Sequence, residues 1–258
     1  MNLRLFRIFD VPLQRLFALV SASSMVVVLG ACSPAPDGVD IHDPYEPVNR
    51  FTHNVNTALD TVAVRPVSQF YGAVLPSPVR QSFDNAAGNL GLPSAVLNKA
   101  LQGDIESAVH NFTRFAVNTT LGVFGLFDPA ADFGLEERPA DFGNTLSTWG
   151  VNEGAYLVLP AIGPSTERDA AGFVVDSVTN PIGLFFGSDT NDARLSLSLT
   201  EILNFRYEFK DTIDGVLYDS ADPYVQSRLF YLDSRRFGDG EARGAEAYED
   251  LYDDLIFQ

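Results

Sequence analysis

One side chain in this sequence is set up for a covalent reaction. Cys32 follows Leu29-Gly30-Ala31 and is the one cysteine among 258 residues. A lone thiol forms no internal disulfide, so its chemistry must lie elsewhere. Before it stand Arg4, Arg7 and Arg15, then an apolar run of about 14 residues, short of the roughly 20 that cross a bilayer. A basic start, a short apolar centre and small residues before the cut make a secretory signal. A cysteine directly after Leu-Gly-Ala resembles a bacterial lipobox, in which the thiol is acylated and the residue becomes the mature N-terminus. An ordinary signal peptide with an incidental cysteine is the alternative. Ser33, rather than an aspartate, follows the cysteine and fits outer-membrane sorting.

The remaining chemistry is sparse. The sequence has no G-x-S-x-G elbow, no P-loop, no H-E-x-x-H and no C-x-x-C. His42 falls in a tether, His53 on a polar helix face and His110 beside an apolar stripe, and each reads as a surface residue. Carboxylates abound, but no spacing singles out an acid/base pair. These observations imply no enzyme, no cofactor and no metal site.

Charge narrows the partners further. Loss of residues 1–31 removes three Arg and Asp10, leaving a mature net charge of −19 from the 17 basic and 34 acidic residues of the whole chain. Such a surface repels nucleic acid and anionic head groups. Attachment to a membrane must then come from acyl chains, at about 0.8 kcal/mol per buried methylene, and from apolar area. The basic residues are 15 Arg against Lys99 and Lys210. Arg offers a planar fork suited to phosphate, although genome composition would give the same bias.

The elements that would position these groups read as helices broken by Pro and Gly, without convincing strands. Residues 32–42 form an acylated cysteine and flexible tether, residues 43–238 a helical body, and residues 239–258 an acidic tail. Asp43-Pro44 and Glu46-Pro47 open a first helix with Phe51, Val55, Ala58, Leu59 and Val62 on one side and Asn49, His53, Asn56 and Asp60 opposite. Helices are expected after Pro66, Pro78 and Pro93. Asp104 caps another, with Ile105, Ala108, Val109 and Phe112 on its apolar side. Further helices run from Ser165 toward Asn180, over about Asn191–Leu217, and after Asp222-Pro223. In the tail Tyr248, Leu251, Tyr252 and Leu255 recur at helical spacing among seven acidic residues and one Arg between Asp239 and Asp254. Either the tail docks on its own body or it presents an acidic surface to a basic periplasmic partner.

Several phrases follow one another in a telling order. They begin with Asp43-Pro44-Tyr45-Glu46-Pro47-Val48-Asn49-Arg50 and Arg65-Pro66, then Leu101-Gln102-Gly103 and Thr113-Arg114-Phe115. Asn118-Thr119-Thr120-Leu121-Gly122, Asp141-Phe142-Gly143, Trp149-Gly150-Val151, Gly163-Pro164-Ser165-Thr166 and Asp222-Pro223-Tyr224 continue the series. In this the chain is similar to the MlaA (VacJ) family of outer-membrane lipoproteins over most of residues 43–230. It departs in carrying Val48 and Val55 where Phe is more usual, and Ala155 where Pro is. The resemblance implies an all-α, ring-like domain of amphipathic helices lying in the membrane plane around a central amphipathic channel. It implies an outer-membrane lipoprotein anchored through Cys32 that removes phospholipids misplaced in the outer leaflet. It further implies a porin trimer beside the ring and a soluble periplasmic carrier that receives the lipid. On this reading Asn49, Asn56 and Asp60, with Asn111, Arg114 and Asn118, offer polar faces to a passing head group, or equally to periplasmic water. Gly143–Gly163 would line or gate the pore. A scaffold that binds porins without moving lipid is the competing expectation, and a phospholipid hydrolase the third.

Overall fold

The structure, a computed structural model, describes residues 41–182 and 188–238, with the side chains of 188–193, 237 and 238 excepted. The signal, Cys32, most of the tether and the acidic tail with Tyr248, Leu251, Tyr252 and Leu255 lie outside the described residues.

Proline opens the first helices, because its fixed φ suits the first turn and its missing N–H would be unpaired there anyway. Helix α1 (Glu46–Leu59) has Pro47 in its first turn and runs through a π-helical turn at Asp60–Val64 into α2 (Arg65–Val74), opened by Pro66. Leu75 turns extended and ends α2. Helix α3 (Ser77–Leu101) then passes through Pro93 without a break, so the helix expected after that proline is the second half of α3. Gly103, at φ 79°, reverses the chain. Asp104 then caps α4 (Ile105–Thr120), its carboxylate accepting from Ser107 N at 3.0 Å.

After a short α5 (Pro129–Asp132) comes α6 (Phe142–Thr148), closed at its start by a reciprocal box between Asp141 and Asn144. A two-stranded antiparallel hairpin follows, β1 (Tyr156–Leu159) paired with β2 (Gly163–Thr166) in the register Tyr156↔Thr166. No local pattern announces it: β1 is a short apolar run, and Gly-Pro-Ser-Thr has little strand character. Thr166 caps α7 (Glu167–Thr179) through Asp169 N. The single helix expected over Asn191–Leu217 is instead α8 (Ser188–Glu208), a short α9 (Lys210–Asp214) and a second π-helical turn at Gly215–Asp219. Helix α10 (Pro223–Gly238) completes the order.

Helix α3 packs along α4, α8 lies across α2 and α3, α6 packs on α7, and α1 rests on β1. The architecture is mostly helical, as expected from the sequence. What differs from an ordinary helical protein is which faces are turned inward. The apolar stripe of α1 and the π-helical turn after it is exposed, with Phe51 at 70% and Val62 at 79%, while Asn49, His53 and Asp60 are buried. On α4, Ile105, Val109 and Phe112 face out and Asn111, Arg114 and Asn118 face in. Phe173, Val174 and Val178 on α7 and Leu195, Leu199, Ile202 and Phe205 on α8 are exposed likewise. Among the described residues, buried polar and charged side chains outnumber buried apolar ones. One compact apolar cluster unites Tyr156, Val158, Tyr224 and Leu232. No helix among the described residues is long and apolar enough to cross a membrane.

Candidate functional site

The polar interior is built from a repeated device. Residues seven apart on a helix fall on one face, two turns from each other. On α1, Asn49 and Asn56 use that spacing to grip the free edge of β1. The Asn49 amide donates to Tyr156 O and accepts from Val158 N, both at 2.9 Å. The Asn56 amide donates to Leu159 O at 2.9 Å and accepts from Ala161 N at 2.8 Å. The Asn49 carboxamide thus takes the place of a strand residue, and Asn56 holds the turn into which β1 runs. The edge of β1 is satisfied by the Asn49 side chain and by His42 O, which accepts from Tyr156 N at 2.8 Å.

Helix α4 repeats the arrangement with Asn111 and Asn118. Asn111 donates to Arg138 O at 2.8 Å and accepts from Arg138 N at 3.4 Å. Asn118 donates to Asp128 at 2.8 Å and accepts from Ala130 N at 3.0 Å. Between them Arg114 pairs with Asp128 at 2.5 Å and also donates to Leu135 O. The polar face of α4 therefore fastens the irregular chain from Asp128 to Arg138 to the body.

Among the described residues, ionic clusters add to this interior, and three are the most connected. Arg206 reaches Asp60 through Nε and Nη2, each at 2.9 Å, and Asp214 at 2.6 Å. Arg65 holds the other oxygen of Asp214 at 2.6 Å, and Tyr218 donates to Asp60 at 2.7 Å. In the second cluster Asp43 accepts from Asn49, Arg228 and Tyr224. In the third, Arg235 spans Asp141 and Asp169, and Tyr231 donates to Asp169 at 2.6 Å. Burial alone would raise the Asp169 carboxyl; Arg235, Tyr231 and Arg168 together hold it below the usual carboxylate range.

The sequence-predicted polar residues are thus brought together in groups. Asn49 and Asn56 meet the hairpin, Asp60 meets Arg206, and Asn111, Arg114 and Asn118 meet the chain after α4. All are engaged with protein partners. His53, expected at the surface, is buried instead. It stacks edge-on against Tyr224 with ring centroids 5.8 Å apart, and burial lowers its pKa. Arg206 and Arg235, central to two clusters, were not singled out by sequence. The signal that bears on them is the excess of Arg over Lys, since forked guanidinium groups pair with carboxylates at two points. Chemically, these groups hold a scaffold in a low-dielectric interior. No group of three His, Cys, Asp or Glu among the described residues could hold a metal ion.

Comparison with known proteins bears on what such an interior serves. The family model described as MlaA lipoprotein matches residues 41–238. The chain belongs to the MlaA lipoprotein family. An uncharacterized protein of Rickettsia conorii is 35% identical over 191 residues, covering 74% of this chain and 75% of the relative. The intermembrane phospholipid transport system lipoprotein MlaA of Escherichia coli K12 is 35% identical over 227 residues, 86% of this chain and 88% of the relative. A solved structure from work on the "Structural basis for maintenance of bacterial outer membrane lipid asymmetry" is similar with a TM-score of 0.66 and 32% identity. It matches 76% of this chain and 98% of its own. MlaA-family membership accounts for most of the described body. Within it, the paired asparagines of α1 and α4 are where this chain's polar interior is fastened.

Proposed function

We propose that this MlaA-family chain is an outer-membrane lipoprotein, held by acyl chains on Cys32 and facing the periplasm. It takes mislocalised phospholipids from the outer leaflet and passes them through a central amphipathic channel to a soluble periplasmic carrier. The observation that carries this reading is the inversion of the fold. Exposed Phe51, Phe70, Phe112 and Phe230 suit acyl chains, and buried carboxylates, amides and guanidinium groups suit a polar core. A phospholipid moving through an apolar body would have to dehydrate its phosphate at a cost of many kcal/mol. A ring with a polar inner side avoids that. On this reading Asn49, Asn56, Asp60, Asn111, Arg114 and Asn118 act by fixing the inner wall against the strands and loops they bind. The apolar outer face rests in the inner leaflet beside a porin trimer, and the acidic segment 239–258, with Tyr248, Leu251, Tyr252 and Leu255, meets a basic periplasmic partner. No step is catalytic, and lipid moves down its own gradient or is drawn by machinery elsewhere.

The test is outer-leaflet phospholipid in a strain lacking the protein, complemented with the intact chain or with Cys32→Ala. Accumulation in the deletion strain, corrected by the intact chain and not by Cys32→Ala, is the expected result. A normal outer leaflet in the deletion strain, with redundant systems removed, would discard lipid removal in favour of a porin-bound scaffold.

A further inference from the structure

Beside the turn that follows α4 lies an open cleft of about 440 Å³, inside the roughly 300–1,000 Å³ range of small-molecule sites. The first turns of α3 give it a polar wall, with Gln81 and Asn85. Leu121, Leu126 and Phe127 give it an apolar side and remain exposed, and Asn85 Nδ2 donates to Leu126 O at 3.4 Å where the two sides meet. Helix α5 and its cap supply two carboxylates, Asp128 and Asp132, and no Lys or Arg lines the cleft.

The two carboxylates are not equivalent. Asp128 is balanced by Arg114 at 2.5 Å and held by Asn118 at 2.8 Å. Asp132 is exposed and has no side-chain hydrogen bond or ion pair among the described residues. The cleft therefore offers one unanswered negative charge beside an apolar wall.

That wall is held open against its own backbone preference. Val123 and Phe124 adopt left-handed conformations, φ 54° and 59°, which branched and bulky side chains avoid, and Gly125 follows at 88°. The turn is pinned by Gly125 N donating to Asn118 O and Phe127 N to Gly122 O, each at 2.9 Å. Gly125 also sits so close to Asn89 that a Cβ there would come within 2.6 Å of the Asn89 Cβ. Strain of this kind persists where the surroundings over-determine it, and such places cluster at ligand clamps. Here it leaves Phe124 79% exposed beside the apolar wall.

We propose that this cleft is a binding groove for one phospholipid with an amine head group. Its acyl chains lie along Leu121, Leu126 and Phe127, and its ammonium stands beside Asp132, within reach of the Gln81 and Asn85 amide oxygens. A lipid with a glycerol head group brings net negative charge to the same place and finds no cation there. The inference rests on the lipid-transport reading, and names the lipid class that this part of the protein prefers.

Native mass spectrometry of the full-length lipoprotein, released from nanodiscs of equal phosphatidylethanolamine and phosphatidylglycerol, tests it. The amine lipid should be retained about two- to fivefold over the anionic one, the span of a single exposed ion pair. Asp132→Asn should bring the ratio to one, Asp132→Glu should keep it, and Leu126→Gln should reduce retention of both lipids. Circular dichroism matching the unsubstituted protein establishes that each variant is folded. A ratio of one in the unsubstituted protein, or a preference that survives Asp132→Asn, overturns the groove. If that happens while the intact chain still clears the outer leaflet, the groove alone has failed and the transport reading stands.

Discussion

Arg206→Met is expected to lower the stability of the protein by about 3–5 kcal/mol, the cost of leaving a buried charge without its partner. The Arg206 side chain is 5% exposed, and its guanidinium holds both oxygens of Asp60 and one of Asp214. With the guanidinium gone, Asp60 keeps only the Tyr218 hydroxyl, while Asp214 keeps Arg65. Asp60 occupies the turn that joins α1 to α2, so the loss loosens two helices against α8. The double variant Asp60→Leu with Arg206→Met should recover most of the loss, because removing both charges leaves none uncompensated. Thermal melts in detergent of the two single variants and the double variant complete the cycle. Simple addition of the two single effects would mean that the pair is not coupled and that the cluster contributes little.

Gly172→Ala is the second large effect. A Cβ at Gly172 would stand 2.4 Å from Gly143 N and 2.8 Å from Gly143 Cα, so α6 and α7 cross backbone to backbone. Backbone atoms cannot swing aside as a side-chain tip can, and overpacking of this kind costs about 1–3 kcal/mol or more. The loss should spread beyond the crossing. Separating the two helices also pulls Asp141 away from Asp169, and Arg235 bridges both. A melt showing a shift for Gly172→Ala, with a Gly88→Ala control unchanged or improved, would bear this out, because nothing lies within 4 Å of a Cβ at Gly88. Equal behaviour of the two variants would refute the close crossing.

Much of the helical plan was legible in the sequence. Pro47, Pro66 and Pro78 mark helix starts because a fixed φ and a missing N–H act locally, and Asp104 caps α4 for a similar reason. Pro93 misleads, since tertiary packing of α3 against α4 and α8 carries the helix through a residue that would break it in isolation. The stripes of α1 and α4 were equally visible, but periodicity separates two faces without saying which one turns inward. That choice depends on the surrounding solvent, and the answer here puts Asn49 and Asn111 inside with Phe51 and Phe112 outside. Asp60 and Arg206 stand 146 residues apart in the chain, and no local pattern announces such a pair. The hairpin escaped for a related reason: its free edge is completed by Asn49 and the His42 carbonyl, and its turn by Asn56, rather than by a third strand with its own signature.

An interior of amides, carboxylates and guanidinium groups under an apolar coat also has a thermal consequence. The heat capacity change on unfolding rises with apolar area newly exposed to water and falls with polar area. With the coat in lipid or detergent, as proposed, that apolar area is already out of water, and unfolding adds mainly polar area. The dome that relates stability to temperature is then shallow and broad. The stability of a protein built this way falls along a nearly straight line on warming, and its cold-denaturation limb moves to lower temperature.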